Sequence, residues 1–151
     1  MNMLVDIGNG TMSILEIHDG RPIENSISTE VFGVHQCMEK IQKEVSKHSG
    51  VDVSEMLIEP LLRNGIGDRT DAVAMTTKRV AENYTVEIMK KLTAHGYREE
   101  LVHLFIIGGG GCLLKNFFDL TAKSEVTVIT DICANAKGYE ALAMMKQRMR
   151  G

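Results

Sequence analysis

The chain has 151 residues, 44% apolar and 25% charged, with 17 Lys and Arg against 20 Asp and Glu for a formal charge of −3. That length suits one domain or one compact lobe, the apolar share excludes a disordered chain, and the near-neutral balance gives no footprint for direct nucleic-acid binding. The longest uncharged stretch, Leu101 to Leu114, has 14 residues and four glycines, too few and too Gly-rich for a bilayer span of roughly 20 residues. The first residues, Met-Asn-Met-Leu-Val-Asp, lack the basic and apolar segments of a secretory leader, so no membrane partner is expected. Cys37, Cys112 and Cys133 are odd in number and far apart, which argues against a disulfide framework or structural zinc and for a reducing cytoplasm.

In chain order, Met3 to Ile7 reads as a strand ending at Gly8-Asn9-Gly10, and Met12 to Ile17 as a second. Asp19-Gly20 is a hairpin signal because both positions tolerate positive φ, and a third strand is expected around Ile23 to Val31. Val34, Met38, Ile41 and Val45 then form the stripe of an amphipathic helix closed by Ser49-Gly50. A short helix is expected from Glu59 to Arg63, with Pro60 at its first position and Gly65 as its stop. A longer one runs from about Asp71 to Ala94, where Val73, Val80, Tyr84, Ile88 and Leu92 keep a period near 3.6. Leu101 to Ile107 is a continuous apolar run, predicting an interior strand covered on both faces. Leu113 to Leu120 predicts a helix, Val126 to Ile129 a strand, and Asn135 to Arg150 a last helix with Asn135 as its N-cap. The order predicts an α/β fold: a mixed sheet opened by an N-terminal β-hairpin, with helices packed against it in a single lobe.

Three segments could carry chemistry. In Asp6-Ile7-Gly8-Asn9-Gly10-Thr11 the two glycines leave backbone N–H groups uncovered for a phosphate, and Thr11 adds a hydroxyl. Asp6, at the strand end, could hold Mg²⁺ through water. A plain Asn-Gly turn accounts for the same residues. The second segment is an apolar strand followed by Gly108-Gly109-Gly110-Gly111, with helix amides available to a nucleotide. It matches neither a Walker loop nor a G-x-G-x-x-G fingerprint. Four consecutive glycines are costly to order, which favours a function for them over a plain turn. The third, Ala134-Asn135-Ala136-Lys137-Gly138, opens the last helix, where Gly138 would allow close backbone packing. His18, His35, His48, His95 and His103 have no metal-ligand spacing, Cys112 reads as a packed thiol, and Met144, Met145 and Met149 as adaptable core or interface.

These three segments, in this order and spacing, resemble the second lobe of actin-like ATPases, the superfamily of heat-shock chaperone ATPase domains and sugar kinases. The nearest resemblance is to the plasmid-segregation actins of the ParM/StbA type. Asp6, Gly8 and Thr11 match the Asp-x-Gly-x-x-Thr of the second phosphate hairpin, Ile106 to Gly110 the adenosine motif, and Ala134 to Gly138 the second connecting helix. Ser13 departs from the family, where many members carry Asp.

The resemblance implies a ribonuclease H-like lobe spanning residues 1–151, with a core of 1–32 and 72–151 and a small helical insert at about 33–71. It implies ATP held with Mg²⁺, where Asp6 acts in catalysis and in holding the metal through water. The nucleotide would be bound by Gly8, Asn9, Gly10, Thr11, Gly108, Gly109, Gly110 and Gly111. Implied partners are the first lobe of the same protein, further copies in a filament, and a DNA-bound adaptor. A lobe alone, whether fragment or naturally short product, would bind nucleotide weakly and turn it over negligibly. Alternatives within the fold are a non-catalytic interaction module and a lobe of a small-molecule kinase.

Overall fold

The structure, a computed structural model, describes residues 1–121, 123, 125–131 and 133–150. The side chains at 142, 145, 146, 149 and 150 lie outside that description, and with them the Met145 and Met149 part of the expected Met-rich face. Six strands and five helices follow as β1 (Asn2–Ile7), β2 (Met12–His18), β3 (Arg21–Pro22), β4 (Ser28–Glu30), α1 (Val34–Ser49), α2 (Glu55–Asn64), α3 (Ala72–Ala94), β5 (His103–Ile107), α4 (Gly110–Phe117), β6 (Val126–Val128) and α5 (Ala134–Arg150). No described helix is long and apolar enough to cross a membrane.

The sheet runs in the order β3-β2-β1-β5-β6, with β4 also paired to β2. β1 is antiparallel to β2 and parallel to β5, and β5 is parallel to β6. The mixed α/β architecture and the interior place of β5 are as expected from sequence. Side chains alternate across the pleat, so Met3, Val5 and Ile7 of β1, Met12 and Ile14 of β2 and Leu104 and Ile106 of β5 share one face, and all are buried. That face joins residues of α1 to α4 in a single core. Each fully buried Ile or Leu there stabilises the fold by about 1.5–3 kcal/mol.

The opposite face is not covered as the continuous run Leu101–Ile107 predicted. Leu4, Leu15 and Phe105 are only half-buried on it. His103 explains how β5 tolerates this: its ring stacks on Phe105 at 4.4 Å, its Nε2 lies 2.8 Å from Thr127 Oγ1, and its Nδ1 lies 2.9 Å from Glu125. An apolar ring is thereby capped by a polar one. Leu101, at the start of the run, is outside the strand and exposed.

Three boundaries move for local reasons. Of the expected third strand, Ile23 to Val31, only Ser28–Glu30 is strand, and β3 lies just before it; between the two the chain turns through Asn25 at φ 63° and leaves Ile27 exposed, as is Val31 after β4. Helix α2 begins at Glu55, not Glu59, so Pro60 is interior; burial of Ile58, Leu61 and Leu62 outweighs its missing N–H. Helix α4 begins at Gly110, not Leu113, so half of the glycine run is helical. The Asp19-Gly20 turn has φ of 49° and 74°, the positive pair its sequence predicted. Asp71 caps α3 by accepting from the Ala74 N–H at 3.1 Å.

Candidate functional site

The β1–β2 turn is shaped by the start of α1. Within it, the Gly8 N–H donates to the Thr11 carbonyl at 2.9 Å. The next three carbonyls are taken by α1: Val34 N–H donates to Gly8 O at 3.0 Å, His35 N–H to Asn9 O at 2.7 Å, and Gln36 Nε2 to Gly10 O at 3.1 Å. Gln36 Oε1 also accepts the Gly33 N–H at 2.8 Å. A Cβ on Gly33 would stand 2.4 Å from Asn9 O, so only glycine permits this approach. Helix α1 thus satisfies its first amides with hairpin carbonyls. The N–H groups of Asn9, Gly10 and Thr11 have no acceptor among the described residues, the condition for an anion-binding run of amides.

The glycine run after β5 divides into two roles. Gly108 sits at φ 84°, and a Cβ there would lie 2.5 Å from Ile7 O and 2.7 Å from Asp6 Oδ1. Gly110 is tighter still, its Cβ position being 2.2 Å from Ile7 Cγ2, and that of Gly111 is 3.1 Å from Val128 Cγ1. These contacts lay the first turn of α4 directly on β1 and β6. Gly109 is open, with Val34 Cγ2 at 3.7 Å as its neighbour. No side chain caps α4; the Gly111 N–H is taken by the Gly108 carbonyl at 3.0 Å, and the partial positive charge of the helix start faces any anion placed there.

Both loops follow the carboxyl ends of the parallel strands β1 and β5, the edge of an α/β sheet where ligands bind. A cleft of about 560 Å³ opens there, with Asn9, Gly108, Gly109 and Thr130 at the sheet end. Val34, Met38, Leu62 and Leu113 give it an apolar wall, while Glu55, Glu59 and Arg63 of α2 and the half-buried Cys112 add polar groups. Arg63 pairs with Glu59, and Glu55 lies 3.2 Å from His35 Nδ1. The structure therefore brings Asn9, Gly108 and Gly109 together, with Gly8, Gly10 and Thr11 on the same short turn and Gly110 and Gly111 one layer behind. The α2 side of the cleft was missed: the expected helix starts only at Glu59, and Glu55, Glu59 and Arg63 form no motif that points to a ligand.

The Asp6 carboxylate lies close against Gly108, its Oδ2 accepting from Asn135 Nδ2 at 2.8 Å. No group of three His, Cys, Asp or Glu able to hold a metal occurs among the described residues. Mg²⁺ needs only one or two carboxylates when phosphate oxygens and waters complete its shell, and Asp6 beside two amide-lined loops fits that donor set. Asn135 is not the cap of α5. It lies inside the first turn; Cys133 precedes the helix and its carbonyl accepts the Lys137 N–H at 2.9 Å, while Asp131 accepts the Cys133 N–H on Oδ1 at 2.8 Å and the Ala134 N–H on its carbonyl at 3.0 Å. Its Oδ2 pairs with Lys137, which with the Cys133 N–H holds its carboxyl below the usual range. Among the described residues Gly138 meets nothing within 4 Å, so the expected close packing is not seen with any of them.

A sheet of this order with two glycine loops at its carboxyl edge defines a lobe of the actin-like ATPase class. The family model for the archaeal actin homologue MreB-like C-terminal domain matches residues 4–119, and the chain belongs to that family. The archaeal actin homologue Ta0583 superposes with a TM-score of 0.75 at 20% identity, covering 96% of this chain and 48% of its own; that protein has also been solved with ADP. ParM of Bacillus thuringiensis in its apo form gives 0.66 at 14% identity, covering 99% and 45%, and a non-polymerisable quadruple mutant of pCBH ParM gives 0.70 at 21%, covering 95% and 46%. The fold is shared, and this chain spans about half the length of those proteins. No curated protein matches it at a significant level.

Proposed function

We propose that this chain is the nucleotide-binding second lobe of a filament-forming actin-like ATPase of the plasmid-segregation type. The observation that carries the reading is the convergence of two glycine loops on one cleft, with the Asp6 carboxylate close against Gly108. The uncovered amides of Asn9, Gly10 and Thr11 would hold phosphate oxygens, with the Thr11 hydroxyl beside them. Gly108, Gly109 and the first turn of α4, including Gly110 and Gly111, would carry the adenosine end, against the apolar wall of Met38, Leu62 and Leu113. When bound, Mg²⁺ would neutralise phosphate charge, and Asp6 would orient its water shell. The ADP complex of Ta0583 and the ParM likeness support ATP as the nucleotide and self-association as the use made of it.

The lobe divides in this proposal into a core of 1–32 and 72–151 and an insert of about 33–71 that supplies the α1 and α2 walls. A first lobe of the same protein would complete the cleft, and a DNA-bound adaptor would engage the polymer. Titration of ¹⁵N-labelled chain with Mg-ATP tests the site: the amides of residues 8–11 and 108–111 should shift together. Shifts confined to one loop, or none at millimolar nucleotide, would refute it.

A further inference from the structure

Among the described residues, the side-chain hydrogen bond of longest range joins Asn135 to Asp6, 129 residues apart, at 2.8 Å. Asn135 is free to make it because Asp131 already serves the amides of Cys133 and Ala134. Among the described residues, those at 135–141 are exposed, Gly138 has nothing within 4 Å of its Cβ position, and Tyr139 and Met144 are 74% and 52% exposed. Asp6 for its part offers Oδ2 to Asn135, while Oδ1 lies 2.7 Å from the Cβ position of Gly108. The carboxylate that bonds α5 thus also packs close against the backbone of Gly108, a residue that lines the cleft.

We propose that Asn135 is the positioning residue for Asp6, and that their hydrogen bond couples occupancy of the cleft to the seat of α5. The ligand's identity rests on the nucleotide reading above; the bond itself does not. A carboxylate alone swings about its two side-chain torsions, and an amide donor on Oδ2 fixes Oδ1 as the oxygen turned toward Gly108. Coupling of this kind is reciprocal: a cation–nucleotide that holds Asp6 in that rotamer also holds the first turn of α5, and releasing α5 frees the carboxylate.

Asn135→Asp separates this role from a purely helical one. The change is isosteric and puts an acid in the first turn, which favours the helix itself, yet it sets acceptor against acceptor at Asp6. Hydrogen exchange of the Lys137 and Gly138 amides, without nucleotide, should quicken about fivefold in Asn135→Asp, the size of one exposed charge-assisted hydrogen bond. Asn135→Ala and Asp6→Ala should each quicken it similarly, and their combination no further than either. With Mg-ADP, those amides should slow in the wild-type chain, and Asn135→Asp should need about fivefold more nucleotide for half-saturation. Exchange in Asn135→Asp equal to or slower than wild type, or unchanged Mg-ADP affinity in that variant, would overturn the proposal. If Mg-ADP shifts no amide in residues 8–11 and 108–111 of the wild type, the nucleotide reading fails, and the ligand-free exchange alone decides whether Asn135 pins Asp6.

Discussion

At the residue scale, the glycines of this lobe separate by what a methyl group would strike. Gly110 has Ile7 Cγ2 at 2.2 Å and Ile7 Cβ at 2.4 Å from its Cβ position, and Ile7 is fully buried. Gly10 has nothing within 4 Å. Gly110→Ala should therefore lower the stability of the chain by about 1–3 kcal/mol through overpacking, while Gly10→Ala stays within about 0.5 kcal/mol. Urea unfolding of the two variants decides it, and equal losses would mean that α4 is not seated on β1 as described. Gln36 offers a second measurement at this scale. Its side chain bonds both the α1 start, at Gly33, and the hairpin, at Gly10. Gln36→Met keeps the stem and removes both bonds, so a loss of about 1–2 kcal/mol is expected, with faster amide exchange in residues 8–11.

At the element scale, β4 is tied to α3 by one carboxylate. Glu30 on β4 pairs with Lys91 and lies 2.7 Å from His95 Nε2, both on the α3 side, and Lys91 sits 4.8 Å above the Phe32 ring, itself stacked on Tyr84. The hydrogen bond from Lys91 first, and that from His95 second, hold the Glu30 carboxyl below the usual range. A carboxyl depressed in the folded state adds stability above its unfolded pKa, about 4.3, and that increment is lost as pH falls through the folded value. Glu30→Gln should cost about 0.5–1 kcal/mol at pH 7, and the wild-type and variant unfolding midpoints should converge below about pH 4. Parallel pH curves would remove Glu30 from this role. Elements such as β1, β2, α1 and α3 were legible because one local signal, a period of 2 or 3.6, set both ends. The split of β3 from β4 and the early start of α2 were not, since Asn25 and Ile58 answer to packing that spacing does not encode. The two glycine loops were legible as motifs, but their division into steric and open positions needed Ile7, a hundred residues away. The α2 wall and the Asn135 contact had no local signal at all.

At the scale of the whole molecule, the cleft has a sheet edge, an apolar wall and two amide-lined loops, but this chain spans only about half the length of the actin-like proteins it matches. Phosphoryl transfer is positioning plus charge stabilisation from several groups at once. Closure of a second body over the nucleotide is what excludes water and completes such a set. The proposed half-site therefore has part of the binding energy and no closed reaction chamber. The chain alone should bind Mg-ATP weakly and hydrolyse it no faster than background, measured by phosphate release at saturating nucleotide. In a two-lobe protein carrying this sequence, Asp6→Ala should lower turnover about a hundredfold or more, the scale of losing one preorganised electrostatic group. The global fold should survive, because Asp6 is only half-buried and its contact with Asn135 is exposed. Robust hydrolysis by the chain alone would place the whole catalytic set within these 151 residues. Normal turnover in the two-lobe Asp6→Ala protein would take Asp6 out of the chemistry, leaving it to α5 alone.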